Sequence, residues 1–249
     1  MYDLHVHILP GIDDGPAEMH ESVEMARQAA MGGTKIILAT PHRKDVTEGS
    51  SVSDLRDLVQ TLNRKIQDRA TAVSVVLGME NHLDQDLPLD AAEGRALTMN
   101  GSRYILVEMP FFGRPAYVEE VLYQLQDDGL VPVLAHPERI EAFQRDPELL
   151  AKLVGKGMLS QVTAGSFVGM WGRDVKRFAE HLLAERLVHV LASDAHTPGA
   201  PRPPTLDHGV RAAASLLGRD EAEKMVLEAP LAILEDRPLD GPSEERSVG

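Results

Sequence analysis

The chain has 249 residues, 43% of them hydrophobic, a formal net charge of −14 and no cysteine. That length fits one large domain, or at most two, and the acidity argues against nucleic acid or an anionic membrane as the main partner. The missing thiols exclude disulfides, thiolate metal sites and any cysteine nucleophile, and no apolar run reaches the roughly 18 residues needed to cross a bilayer.

Apolar runs rich in Val, Ile and Leu predict strands over 2–8, 34–39, 72–79, 103–108, 131–135, 158–163 and 187–192. Helical periodicity fills the intervals. Met19, Val23, Ala26 and Ala30 share one face, then Val52, Leu55, Val59, Leu62 and Ile66. Val118, Val121, Leu122 and Leu125 repeat the spacing, as do Val175, Phe178, Leu182 and Leu183. Two more helices are predicted near 207–217 and 220–228, and a frayed, charged tail from about Glu235, so residues 1–235 read as a single domain and 236–249 as its tail. Strands alternating with helices mean a parallel sheet with helical crossovers, and both a closed α/β barrel and an open doubly wound sheet fit the count. No glycine-rich phosphate loop follows the first strand. No signal peptide precedes that strand, so the expected location is cytoplasmic.

The chemistry gathers where the strands end. His5 and His7 form an i, i+2 pair, which an extended strand presents on one side, and Asp14 follows in the Gly11-Ile12-Asp13-Asp14-Gly15-Pro16 loop. The next strands end in Thr40-Pro41-His42, Glu80, Glu108 and His136-Pro137-Glu138-Arg139, and the last ends in Ser193-Asp194-Ala195-His196, a second i, i+2 pair. Carboxyl ends of parallel strands are where α/β folds build active sites. Each residue has a plainer reading. Asp14 suits a helix cap, Glu80 and Glu108 suit wet strand ends, and His42 and His136 beside prolines suit a loop or core. Their joint occurrence weighs against this, because four carboxylates packed together repel unless cations are present. His20, His82, His181, His189 and His208 lack the pattern and read as structural or surface residues, His82 being nearest to it through Glu80.

Nine such ligands suit two or three divalent ions. Three would leave the pocket positive inside an acidic protein, which suits an anionic substrate, phosphate first. The ions would make hydroxide from a bound water and neutralise charge on phosphoryl oxygens. Arg139 is placed to bind phosphate with its two-pronged guanidinium, and Arg202, beyond His196, is a second candidate. Phe111 and Phe112 after Glu108 offer either an apolar wall beside a substrate or packing under the loop.

These motifs, with Val107-Glu108-Met109-Pro110 and Gln161-Val162-Thr163-Ala164-Gly165-Ser166, resemble the polymerase-and-histidinol-phosphatase (PHP) superfamily over about residues 1–235. Within it they are most similar to the bacterial protein-tyrosine phosphatases of capsule and exopolysaccharide loci. The resemblance implies a distorted seven-stranded (β/α)7 TIM-like barrel, with parallel strands, outer helices and a trinuclear centre, often of manganese, although a His and carboxylate mixture also accepts iron or zinc. It implies that His5, His7, Glu80 and Asp194 hold one ion. A bridging Glu80 with Glu108 and His136 would hold the second, and Asp14, His42 and His196 the third. Arg139 and Arg202 would be the phosphate-binding arginines. The implied substrate is a phosphotyrosine protein, the tail of a bacterial tyrosine autokinase controlling exopolysaccharide or capsule synthesis, attacked by a metal-bound hydroxide with no covalent enzyme intermediate. Other readings are a small-molecule phosphatase such as histidinol-phosphatase, an amidohydrolase, which also opens with His-x-His, and a catalytically dead regulatory module.

Overall fold

The computed structural model describes residues 1–239. Most of the tail expected over 236–249 therefore lies outside the described residues. Strands β1 (Tyr2–Val6), β2 (Ile36–Ala39) and β3 (Ser74–Leu77) form one parallel sheet in that order. A second parallel sheet holds β4 (Asn81–His82), β5 (Tyr104–Glu108), β6 (Val131–Ala135), β7 (Leu159–Thr163) and β8 (Val190–Ala192). The helices are α1 (Met19–Met31), α2 (Arg43–Gly49), α3 (Val52–Asp68), α4 (Leu87–Ala92), α5 (Val118–Asp127) and α6 (Glu141–Arg145). They continue with α7 (Pro147–Gly155), α8 (Ala164–Phe167), α9 (Arg173–Ala184), α10 (Asp207–Leu217), α11 (Arg219–Lys224) and α12 (Glu228–Leu234).

The fold is α/β with parallel sheets, as expected, but among the described residues the strands number eight, in two sheets of three and five, rather than seven in one closed ring. The strand expected over 72–79 is interrupted at Gly78-Met79-Glu80 and resumes as the two-residue β4. At Gly78 a Cβ would lie 3.1–3.2 Å from the Leu38 side chain, so β2 comes close at the break. Asn81 satisfies carbonyls the interrupted ladder would strand, its Nδ2 donating to Met79 O (3.0 Å), Leu97 O (3.1 Å) and Leu106 O (3.0 Å). At the other junction β1 and β8 meet through a bridge, with His7 N–H donating to Ala195 O and Asp194 N–H to His5 O, both at 2.9 Å.

The sheets share an interior. Leu4, Leu38, Leu106, Val133, Leu159 and Val190 come from six strands of both sheets and pack in one cluster, closed by Ile233 and Leu234 of α12. The faces of α1 and α3 cover the outside of the first sheet, and those of α5, α7 and α9 cover the second. The helix expected over 220–228 is split between α11 and α12. The Met225 and Val226 carbonyls instead accept Leu191 N–H (3.1 Å) and Tyr2 N–H (2.9 Å), and a continuous helix would have kept them for itself. Among the described residues no helix is long and apolar enough to cross a membrane.

Candidate metal centre

The strand ends meet at one edge. His5 and His7, at the end of β1, are almost wholly buried. Each ring is oriented from behind. His5 Nδ1 lies 2.8 Å from Gln161 Oε1 on β7, and His7 Nδ1 lies 2.7 Å from Asp13 Oδ2. Both partner oxygens are acceptors, so each Nδ1 carries a proton and, in the neutral ring, each Nε2 offers a lone pair. Those two Nε2 atoms face each other at 3.2 Å. Glu80 Oε2 is 3.3 Å from both, and Asp194 Oδ1 is 3.5 and 3.7 Å away. Ligand atoms around a tetrahedral ion at about 2.1 Å stand about 3.4 Å apart. The donor set thus fits a divalent cation: once the rings are neutral, their lone pairs and the carboxylate oxygens converge on one point.

Three compact groups can be drawn among the described residues: His5, His7 and Glu80; His42, Glu80 and Glu108; and His7, Asp14, His42 and His196. Glu80 lies at the middle. Besides β1, its carboxylate faces His42 Nδ1 (3.1 Å) and accepts from or faces His136 Nε2 (2.9 Å). His136 also looks at Glu108 Oε1 (3.6 Å). In the third group Asp14 Oδ1 is 3.0 Å from His196 Nε2 and 3.6 Å from His42 Nε2, and His196 Nε2 is buried without a hydrogen bond. The grouping differs from the expected sets: His42 stands in place of His136 beside Glu80 and Glu108, His7 joins Asp14, His42 and His196, and Asp194 lies outside the group of His5 and His7. His136 (φ 31°) and Asp194 (φ 52°) both hold left-handed backbone, unusual for non-glycine residues and a sign that surrounding structure forces their aim.

Electrostatics carry the same message. Burial disfavours a charged His7, yet the bonds to Asp13 and Glu80 outweigh it and raise its pKa to about 9. His42 is pushed up to about 11 against its burial by Asp14 and Glu80. Glu80 is held well below the ordinary range, because the His5 charge and the bonds from His136 and His42 overcome desolvation. The imidazoles of His196 and His42 facing it pull Asp14 down. Carboxylates that hold positive charge on imidazoles above neutral pH present the demand a divalent cation meets.

The arginines lie at the rim. Arg139, in the turn after β6, donates from Nη1 to Asp194 Oδ2 (2.6 Å), and Arg202 Nη2 lies 2.7 Å from the same oxygen. The Arg202 carbonyl accepts from His196 N–H (2.9 Å) and Thr197 N–H (3.2 Å), which fixes that loop against the site. Phe111 stacks nearly parallel on His136, with centroids 5.5 Å apart, whereas Phe112 is 84% exposed. His82, set aside in the sequence, has Nδ1 3.7 Å from Glu108 Oε2. The sequence reading missed Asp13, Gln161 and Trp171. The first two stand inside the motifs already quoted, beside Asp14 and before Thr163, and an acceptor partner for each ligand imidazole is a general need. For Trp171 the only sequence signal is that it is the sole tryptophan.

Fold and site together define a parallel α/β protein with a buried histidine–carboxylate cluster whose groups could hold divalent cations. The chain belongs to the CpsB/CapC family of capsular polysaccharide synthesis, which matches residues 1–235. Tyrosine-protein phosphatase YwqE of Bacillus subtilis is 39% identical over 196 residues, covering 79% of this chain and 77% of YwqE. Tyrosine-protein phosphatase CpsB of Streptococcus pneumoniae is 26% identical, covering 95% of this chain and 99% of CpsB. Among solved structures, one from the work on YwqE and CpsB, described as unique metal-dependent tyrosine phosphatases, superposes with a TM-score of 0.90 at 33% identity over 97% of both chains. Dihydropyrimidinase from Brevibacillus agri shares the fold alone, with a TM-score of 0.57 at 11% identity.

Proposed function

We propose that this protein is a metal-dependent tyrosine phosphatase. The observation that carries this reading is the pair of guanidiniums converging on Asp194 Oδ2 at the rim of the His–carboxylate cluster, in a chain without cysteine. Two arginines side by side offer several N–H donors to one phosphoryl group. His5, His7, Asp14, His42, Glu80, Glu108, His136, Asp194 and His196 would hold the cations, which we read as three, manganese first, with iron or zinc as the other candidates. Bound there, divalent ions supply an activated water and neutralise phosphoryl charge.

The residues do the rest. Arg139 and Arg202 bind the phosphoryl oxygens and orient the monoester over the cluster. Asp194, with one oxygen toward the imidazoles and the other toward both arginines, keeps substrate grip and cation site in register. Phe111, flat on His136, walls the site where a phenolic ring would enter. Phe112 stands on the same loop as an exposed contact for the peptide around the tyrosine. The small-molecule alternative is not favoured, since relatives spanning most of the chain carry tyrosine-phosphatase names. We place the substrate on a bacterial tyrosine autokinase in the cytoplasm. We also read residues 1–235 as one domain whose two sheets are the halves of a distorted barrel.

The test is hydrolysis of a phosphotyrosine peptide by chelated and then metal-reconstituted protein, metal by metal. Activity should return with metal and be lost in His136→Ala. A reconstituted enzyme that leaves the peptide intact but cleaves histidinol phosphate would overturn the reading.

A further inference from the structure

The Arg139 guanidinium lies between two aromatic rings, with Cζ 4.9 Å from the Phe111 centroid and 4.1 Å from that of Trp171. Arg202 shares the second ring, with Cζ 5.3 Å from the Trp171 centroid. We propose that Trp171 is a positioning residue that, with Phe111, holds Arg139 and Arg202 as one phosphate-gripping unit. This rests on the reading of the two arginines as phosphate ligands.

Both guanidiniums reach for one Asp194 oxygen, so two like charges sit side by side, and their side chains are only 14% and 19% exposed. Asp14 adds only a longer contact, its Oδ2 3.8 Å from Arg202 Nη1, so the two partly desolvated cations are not fully offset, and solvent screens them little. The electron-rich face of an indole is the best aromatic partner for such a charge and lies under both. It also costs no donor. A guanidinium stacked on a ring keeps its in-plane N–H groups for an anion, and Arg202 Nε is buried without a hydrogen-bond partner.

The loop that carries Trp171 is tied to the loop that carries Arg139. Glu138 Oε1 accepts from Thr163 N–H (3.0 Å) and from Ser166 Oγ (2.7 Å) at the start of α8. Met170 N–H then donates to Gly165 O (3.0 Å), one residue before the tryptophan. Arg139 and Trp171 thus hang from the same fixed point, and the stack is set by the fold.

The experiment uses the full metal-reconstituted chain. It measures inhibition by inorganic phosphate, KM and kcat on a phosphotyrosine peptide, and bound metal for wild type, Trp171→Phe, Trp171→Leu, Arg139→Ala and Arg202→Ala. Trp171→Leu should weaken phosphate inhibition and raise KM by about tenfold with metal content unchanged, and Trp171→Phe, which keeps an aromatic face, should recover most of the loss. As the sole tryptophan, Trp171 should also change its emission when phosphate is titrated into wild type. Trp171→Leu staying within twofold of wild type while the arginine variants fail would overturn the proposal and leave the arginine reading intact. Loss of metal in Trp171→Leu, or Trp171→Phe as impaired as Trp171→Leu, would also overturn it by making the residue a structural one. Arginine variants that bind phosphate as wild type does would remove the reading beneath it.

Discussion

Two buried polar clusters sit within a few residues of each other and behave oppositely. Around Arg43, 4% exposed, the guanidinium bonds to Asp84 and Asp90 and donates to His82 O (3.1 Å), and Arg95 adds a second cation on Asp90. Its charges are matched within the chain. One residue earlier, His42 enters the other cluster, where the carboxylates of Asp14, Glu80, Glu108 and Asp194 meet five imidazoles at their centre and two arginines at the rim. The first network pairs its charges within the chain and locks α2 to β4 and α4. The second crowds ring nitrogens onto shared carboxylate oxygens, an arrangement that a divalent cation suits.

The sharpest way to break this contrast is Glu80→Ala, which removes the carboxylate facing His5, His7, His42 and His136. Activity on a phosphotyrosine peptide should fall by about a thousandfold and bound metal should drop, with the fold kept, as seen by elemental analysis and circular dichroism. Chelation of the wild type should mimic it and be reversed by added metal. Retained activity in either case would make the second cluster as self-sufficient as the first.

Arg43→Met should do the reverse. Stranding Asp84 and Asp90 should cost about 3–5 kcal/mol of stability in a denaturant titration, with kcat on the folded fraction nearly unchanged. A larger loss of kcat than of stability would merge the two clusters into one functional unit.

A smaller effect is expected from Asp13→Ala, which leaves His7 in place but removes the oxygen that sets its tautomer. Metal affinity should fall by about 10–100-fold, read by competition with a chelator. Unchanged affinity would mean that His7 is aimed by packing alone.

The smallest test uses an imidazole with no carboxylate. His189 Nδ1 accepts from Ser160 N–H (3.2 Å), and burial pushes its pKa down to about 4. With the folded value below the unfolded one, its contribution is present above about pH 6.5 and is lost as pH falls toward 4. Tm measured against pH should therefore decline over that window, and less so in His189→Gln. An equal decline in both would assign the acid sensitivity elsewhere.

The strand-end residues were legible because local rules place them. Short continuous apolar runs end at His7, His42, Glu108, His136 and Asp194, and parallel strands deliver those ends to one edge whatever the closure. The helix over 207–217 was readable for the same reason, a full apolar face on one element. Short helices such as α2, α6 and α8 were not, since four to seven residues hold too little periodicity to register. The resemblance singled out candidate ligands, but no spacing could say that His42 lies beside Glu80 and Glu108, or that Arg202 reaches Asp194.

By itself the sequence determined the alternation of strand and helix, the edge where the chemistry stands, and the residue types that demand cations, all set by neighbours within a few positions. Tertiary structure alone decided the break between β3 and β4, the grouping of the ligands, the orienting of His5 by Gln161 across 156 residues, and the placing of Trp171 under both arginines. These depend on side chains that meet only when distant strands pack, and no local pattern encodes which oxygen a ring nitrogen will find.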